Sequence, residues 1–224
     1  LRELRFDRLA HSTLDIDRAT RCGIDEVILA ESKSIEQVCE IAVRFVERSG
    51  RVLLSRIRED QTAPLFNLLP KIRFSPDKRS ASIGRMREVS IGKIGILSAG
   101  TGDWIVADET AFAAEYFGCE VAQIRDVGVA GLSRLLERLP ELQDCDVLIA
   151  IAGMEGLLPS VLCGLVPNPV VAVPTSIGYG VGLGGVAAVT TMLAACSPGL
   201  SVVNIDNGLG AAAVAAKFIG HIRR

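Results

Sequence analysis

Apolar and polar positions follow two rhythms in this chain, and the change of rhythm falls near residue 90. From Lys93 onward, short apolar runs of strand length alternate with longer stretches at helical spacing. The runs are 93–98 (KIGILS), 120–125, 146–152 (DVLIAIA), 170–173 and 200–205. Between and after them, helices are predicted from about Trp104 to Phe117, up to Leu139, within GMEGLLPSVLCGL, over 182–195 and over 209–222. Five β-α units in succession imply a doubly wound parallel sheet with right-handed crossovers, a three-layer α/β fold of the flavodoxin-like kind. In such sheets ligands lie at the carboxyl ends of the strands. The loops to inspect are therefore 98–103, 126–131, 152–159, 174–185 and 205–210.

Before residue 90 the pattern is more mixed. Residues 1–22 read as a charged, helix-capable lead, and 26–30 as a short strand. Ser34 with Gln37 three residues on forms a capping-box signature for a helix to about Ser49. Ile35, Val38, Ile41, Ala42, Phe45 and Val46 supply its apolar stripe, and Gly50 ends it. Residues 51–57 read as a strand and a short helix precedes Pro70. The basic stretch 71–90 reads as irregular, with a linker over 80–88. The expected organisation is a small N-terminal α/β domain over 1–88 and a larger α/β domain over 89–224.

Composition sharpens this picture in one place. Between Glu155 and Asp206 there is no Asp, Glu, Lys or Arg. Prolines and glycines interrupt that run, so no piece of it approaches the roughly 20 apolar residues of a spanning helix. It is expected to lie inside a core, under another domain or in an oligomer. The chain is 49% apolar but only 4% aromatic, which suits a core of Val, Ile, Leu and Ala. A net charge of −2 argues against nucleic acid as a partner. The six cysteines form no CxxC pair and suit reduced thiols. The charged start, LRELRFDRLA, carries no secretory pattern, so the expected location is cytoplasmic.

Each strand-end loop has its own chemistry. Ser98, Gly100, Thr101 and Asp103 lie in SAGTGD, where backbone N–H groups can hold a phosphate, or Asp103 simply caps the helix. Asp126 and Gly128 sit in DVGVAG. Gly153, Met154 and Glu155 follow an apolar strand, and Glu155 reads either as an acid or base raised by apolar surroundings or as a helix N-terminal acid. Ser176, Gly178 and Tyr179 open a Gly-rich loop able to move over a ligand. Asp206 ends the last strand in NIDNG, as a ligand-facing acid or an Asx turn. By itself Cys196, at a helix end, reads as a small buried side chain. The two histidines, His11 and His221, lie near the termini, which argues against a Ser-His-Asp hydrolase.

These loops carry a resemblance. The segment from about 93 to 222 resembles the carboxylase/mutase that acts on aminoimidazole ribonucleotide, through SAGTGDW and through DVLIAIAGMEGLLPSVLCGL followed by VVAVP. That family's histidine falls near Leu157 here, with Glu155 close by. A closer resemblance spans nearly the whole chain. AGTGDWIVADE, RDVGVAG, IAGMEGLLPSVLCGL, VAVPTSIGYG, SVVNIDNGLGAA and the N-terminal DIDRATRCGIDEVILAESKS are similar to the LarB family. Its members are pyridinium-3,5-biscarboxylic acid mononucleotide synthases of nickel-pincer cofactor biosynthesis, with a PurE-like C-terminal part.

The resemblance implies carboxylation of the pyridinium ring of nicotinic acid adenine dinucleotide, with carbon dioxide as co-substrate, and hydrolysis of the phosphoanhydride to release AMP. It implies Cys196 as the nucleophile and Glu155 as the proton-handling group. Magnesium, with Asp103 or Asp206 as possible ligands, no organic cofactor and a homo-octamer also follow from it. The competing expectations are a purine-pathway carboxylase or mutase and a non-catalytic nucleotide-binding module.

Overall fold

A computed structural model describes residues 6–87 and 89–222, and the chain forms two compact units that part at residues 88 and 89. In the N-terminal unit, β1 (Phe6–Arg8) and β2 (Thr13–Asp15) form an antiparallel hairpin, followed by the short helix α1 (Arg18–Cys22). This corrects the expectation of a helical lead, whose first five residues lie outside the described ones. Alternation in Thr13-Leu14-Asp15 turns Leu14 into the core, where it is 3% exposed, and aims its neighbours outward. Asp15 is then fixed by Arg21, and Asp7 by Arg48 at 2.6 Å.

The remaining strands, β3 (Val27–Leu29), β4 (Val52–Ser55), β5 (Arg73–Phe74) and β6 (Ser80–Ile83), form one mixed sheet in the order β3-β4-β6-β5. β3 and β4 are parallel, and β6 runs antiparallel to both neighbours. β6 occupies the predicted linker. Its sequence, SASI, has only Ile83 of the bulky branched residues that announce a strand, yet Ser80, Ala81 and Ser82 are buried. Helix α2 (Ile35–Ser49) has the expected capping box, with Ser34 Oγ accepting from Gln37 N, and Gly50 closes it at φ 71°. Its apolar stripe, with Leu65 of α3 (Glu59–Leu68), covers the sheet.

The C-terminal unit contains β7 (Lys93–Ser98), α4 (Trp104–Tyr116), β8 (Glu120–Ile124), α5 (Leu132–Arg138), β9 (Val147–Ala152), α6 (Leu158–Cys163), β10 (Val170–Pro174), α7 (Val186–Leu193), β11 (Leu200–Val202) and α8 (Gly208–Ile222). All five strands are parallel, in the order β11-β10-β9-β7-β8. Counted within the unit this is the 2-1-3-4-5 arrangement of flavodoxin-like sheets. Every residue of β9 and β10 is buried, as continuous apolar runs covered on both faces require. The chain reverses direction across the sheet between β7 and β9, and that switch point is where a ligand cleft belongs.

Three expectations for the charge-free run change. The helix over 182–195 shrinks to α7, because Leu183 is extended and Gly184 and Gly185 take φ of 76° and 79°. What precedes it is 3-10 turns. The run is also not wholly interior in one chain: Val181 is 93% exposed and Leu193 is 70% exposed. The last strand ends at Val202 rather than residue 205, where the chain bends toward Asp206. Among the described residues no helix is long and apolar enough to cross a membrane.

Candidate active site

The carboxyl edge of the C-terminal sheet is built by loops that grip one another. After β7, Gly100 N–H donates to Asp103 Oδ2 at 2.9 Å and Asp103 N–H returns to Gly100 O at 3.2 Å. Thr175, just past β10, donates its hydroxyl to Asp103 Oδ1 at 2.7 Å. Ser176 N–H donates to Asp206 Oδ1 at 2.8 Å, and Asp206 N–H to Pro174 O at 2.9 Å. Met154 N–H meets Ile177 O at 2.9 Å. Past β8, Val127 and Gly128 N–H groups bond Ser98 O and Ala99 O. Loops from all five strands are therefore held at one edge.

Glycine is required where these loops touch. A Cβ on Gly153 would lie 2.1 Å from Ile177 O and 2.7 Å from Thr175 Oγ1. One on Gly178 would lie 2.4 Å from Gly182 O, and one on Gly128 2.9 Å from Ala99 O. Three non-glycine residues hold left-handed backbone at this edge: Asp126 (φ 60°), Met154 (φ 51°) and Asp206 (φ 54°). Asp126 and Met154 stand two residues past a strand end and Asp206 four, where strain is sustained by the surrounding contacts.

These loops enclose a cavity of about 240 Å³ at the switch point. Gly100, Asp103, Gly128, Gly153, Met154 and Glu155 line it, all anticipated from sequence. Val129, Leu157 and Ile177 line it as well; an apolar residue in a loop gives no sequence signal for such a role. Ser98 is fully buried below the lining, and Thr101, Ser176 and Tyr179 are exposed around the edge. Thr175 fixes Asp103, a role that its place in a Gly-rich loop does not signal.

The electrostatics differ from expectation. Glu155 is exposed in the single chain, so the burial invoked for it falls instead on Asp103, which is 4% exposed. Burial pushes the Asp103 carboxyl above its ordinary range, with Asp206 adding in the same direction. Hydrogen bonds from Thr175, Gly100 and Gly153 pull the other way without cancelling it. Both Asp103 oxygens thus have internal partners. Asp206 holds Ser176, and among the described residues no group of three or more His, Cys, Asp and Glu side chains is placed to hold a metal. These residues do not by themselves make a magnesium cage.

Cys196 is a free, exposed thiol, not the small buried side chain that its sequence context suggested. It does not line the cavity. The start of α7 packs on Gly156, where an added Cβ would be 2.8 Å from Ala188 Cα. Cys196 lies beyond the other end of α7, on the order of 10 Å farther along at 1.5 Å per helical residue. The residues after it bridge two places: Ser197 Oγ donates to Ser160 O in the first turn of α6, and Gly199 O accepts from Val170 N–H at the start of β10. The structure gathers Asp103, Glu155 and the glycine loops, and leaves Cys196 apart from them within one chain.

A doubly wound domain with its cleft at the β7/β9 switch point is the architecture of the AIR carboxylase domain, and residues 93–223 match that family. Residues 6–85 match the LarB/PurE-like N-terminal domain. The chain belongs to the LarB family, with a PurE-like C-terminal part. It is 39% identical over 207 residues to an uncharacterized protein of Methanocaldococcus jannaschii, covering 88% of this chain and 80% of that one. It is 30% identical over 126 residues to the N5-carboxyaminoimidazole ribonucleotide mutase of the same organism, covering 55% of this chain and 76% of the mutase. These domains support a carboxylase-type enzyme.

Proposed function

We propose that this protein carboxylates the pyridinium ring of nicotinic acid adenine dinucleotide through a thioether adduct to Cys196, and hydrolyses the phosphoanhydride to give pyridinium-3,5-biscarboxylic acid mononucleotide and AMP. The observation that carries the reading is a carboxylate, Glu155, on the lining of the switch-point cavity of an AIR carboxylase domain that follows a LarB-type domain. A pyridinium carbon is an electrophile, whereas carboxylation needs a carbon nucleophile. Addition of the Cys196 thiolate at ring carbon 4 forms a C–S bond and leaves a neutral dihydropyridine, nucleophilic at carbon 5. Carbon 5 attacks carbon dioxide, and Glu155 takes the proton from that carbon. The ring nitrogen lone pair then expels the thiolate and restores the pyridinium. The step replaces one ring hydrogen by carboxylate, and covalent catalysis divides one hard reaction into easier ones. Water cleaves the anhydride in the second reaction.

Asp103, whose carboxyl burial pushes above its ordinary range, fixes the Gly100 turn against Thr175. Gly128 and Gly153 let the neighbouring loops close on one another around the cavity. Cys196 does not line the cavity of its own chain, and a second copy supplies the thiol. The exposed apolar residues of 181–193, including Val181, Leu183, Val186 and Leu193, form the surface such a copy covers. A homo-octamer, as the family resemblance implies, accommodates this.

Mass spectrometry after incubation with the dinucleotide, magnesium and bicarbonate tests the reading. The expected products are the dicarboxylated mononucleotide and AMP, both lost in Cys196→Ala. Conversion of aminoimidazole ribonucleotide instead, unaffected by Cys196→Ala, would move the protein to the mutase reaction. The family's histidine falls near Leu157, where this chain has no histidine, and that weighs against it.

A further inference from the structure

The N-terminal unit contains a groove of about 930 Å³, within the volume range of small-molecule sites. It opens beyond the carboxyl ends of the parallel pair β3 and β4, runs along α3 and is bounded opposite by the β5–β6 hairpin. Its apolar floor includes Ile57 and two aromatic rings, Phe66 and Phe74. Phe66 is 53% exposed although it sits on a helix beside that floor.

The charges around the groove are not equivalent. The Arg58 guanidinium is occupied with the backbone, donating to Glu31 O at 2.7 Å and Lys33 O at 2.8 Å, and it also reaches Asp60. Gln61, fully buried, donates to Ala30 O and Lys33 O at 3.0 Å. That wall is therefore preorganised. Arg56 faces Glu31 at 3.8 Å. Asp77 accepts from Ser75 Oγ at 2.6 Å and from Arg79 N–H at 3.1 Å, which shapes the hairpin turn. The exposed side chains of Lys78 and Arg79 make no ion pair among the described residues. Lys78 is also held in left-handed backbone at φ 58°, as Arg56 is at φ 55°.

We infer that this groove is a nucleoside monophosphate site, with the base against Phe66 and the phosphate at Lys78 and Arg79. An aromatic face beside two adjacent cations recognises a planar group joined to an anion. Glu31 and Glu59 on the same rim repel a polyanion, which selects a single phosphate over a nucleic acid strand. The inference does not depend on the reaction proposed for the switch-point cavity.

The test uses the full chain with Phe66→Trp as a reporter. The chain's own tryptophan, Trp104, lies in the C-terminal unit, and its signal in the unsubstituted protein is the control. Titration with AMP is expected to change the fluorescence of the introduced indole saturably. Adenosine and ribose 5-phosphate each bind at least tenfold more weakly, and addition of Lys78→Asn with Arg79→Gln weakens AMP at least tenfold. Both cations are exposed, and Asn tolerates positive φ, so these variants fold. No AMP-dependent change in the introduced indole, an equal response to adenosine or inorganic phosphate, or full binding in the neutral double variant would each overturn the inference. Nuclear Overhauser transfer from the ring of unsubstituted Phe66 to the adenine protons checks that the reporter has not created the site.

Discussion

The two units fix the loops at their strand ends by different means. In the N-terminal unit the loop after β3 is held by side chains: Arg58 and Gln61 reach its carbonyls from the start of α3. In the C-terminal unit the corresponding loops hold one another largely through backbone, with glycines at the points of closest approach and the Asp103 and Asp206 carboxyls as the side-chain ties among them. Side-chain braces fill the space beside the backbone they hold. Backbone-to-backbone packing brings the loops to their closest approach and tolerates almost no change in volume.

The largest expected effect follows from that intolerance. In Gly153→Ala the new methyl meets a carbonyl oxygen that belongs to the backbone of the adjoining loop, not to a flexible side chain. Denaturant unfolding should show a loss of about 3 kcal/mol, at the upper end for overpacking, and activity should vanish. Gln61→Leu tests the other device. It removes two donors from buried carbonyls of the 30–33 loop and the acceptor of Arg58 N–H, and should destabilise by about 2 kcal/mol without altering the switch-point cavity. Ser34→Ala removes only the cap of α2, a loss of about 1 kcal/mol read from the same unfolding curves.

Asp103 gives a pH test with a definite sign. Folding raises its carboxyl above the unfolded value, so the folded chain binds the proton more tightly than the unfolded chain. Its contribution to stability is therefore full below the unfolded value, falls as pH rises toward the raised folded value, and is flat beyond. Asp103→Asn should remove that decline in unfolding experiments across the acid range. A decline unchanged in the variant would assign the pH dependence to other groups.

The sequence displayed the C-terminal fold clearly because its strands are long apolar runs with glycine at their ends. DVLIAIA and VVAVP need no partner to be recognised as buried strands. SASI did not announce β6, since serine and alanine carry little strand preference and only the ladder to β4 and β5 makes them one. The loops lining the cavity were legible from strand ends plus Gly and Asp. The identity of the buried acid was not: Glu155 borders the apolar run in sequence, whereas Asp103 is enclosed by Thr175, 72 residues away. Likewise a charge-free run does not say which of its side chains one chain can bury. Val181 and Leu193 remain exposed, and Cys196 with them.

The proposed chemistry turns on a bond between Cys196 and the pyridinium ring. Rapid quench of the full-length protein with nicotinic acid adenine dinucleotide, without bicarbonate, followed by hydride reduction and peptide mass spectrometry, examines it directly. A dinucleotide-derived mass is expected on the peptide containing Cys196 and none in Cys196→Ala, which, as a change at an exposed side chain, should unfold within about 0.5 kcal/mol of the parent. Full carboxylation of the dinucleotide by Cys196→Ala, with no adduct on the parent protein, would contradict covalent catalysis by this thiol.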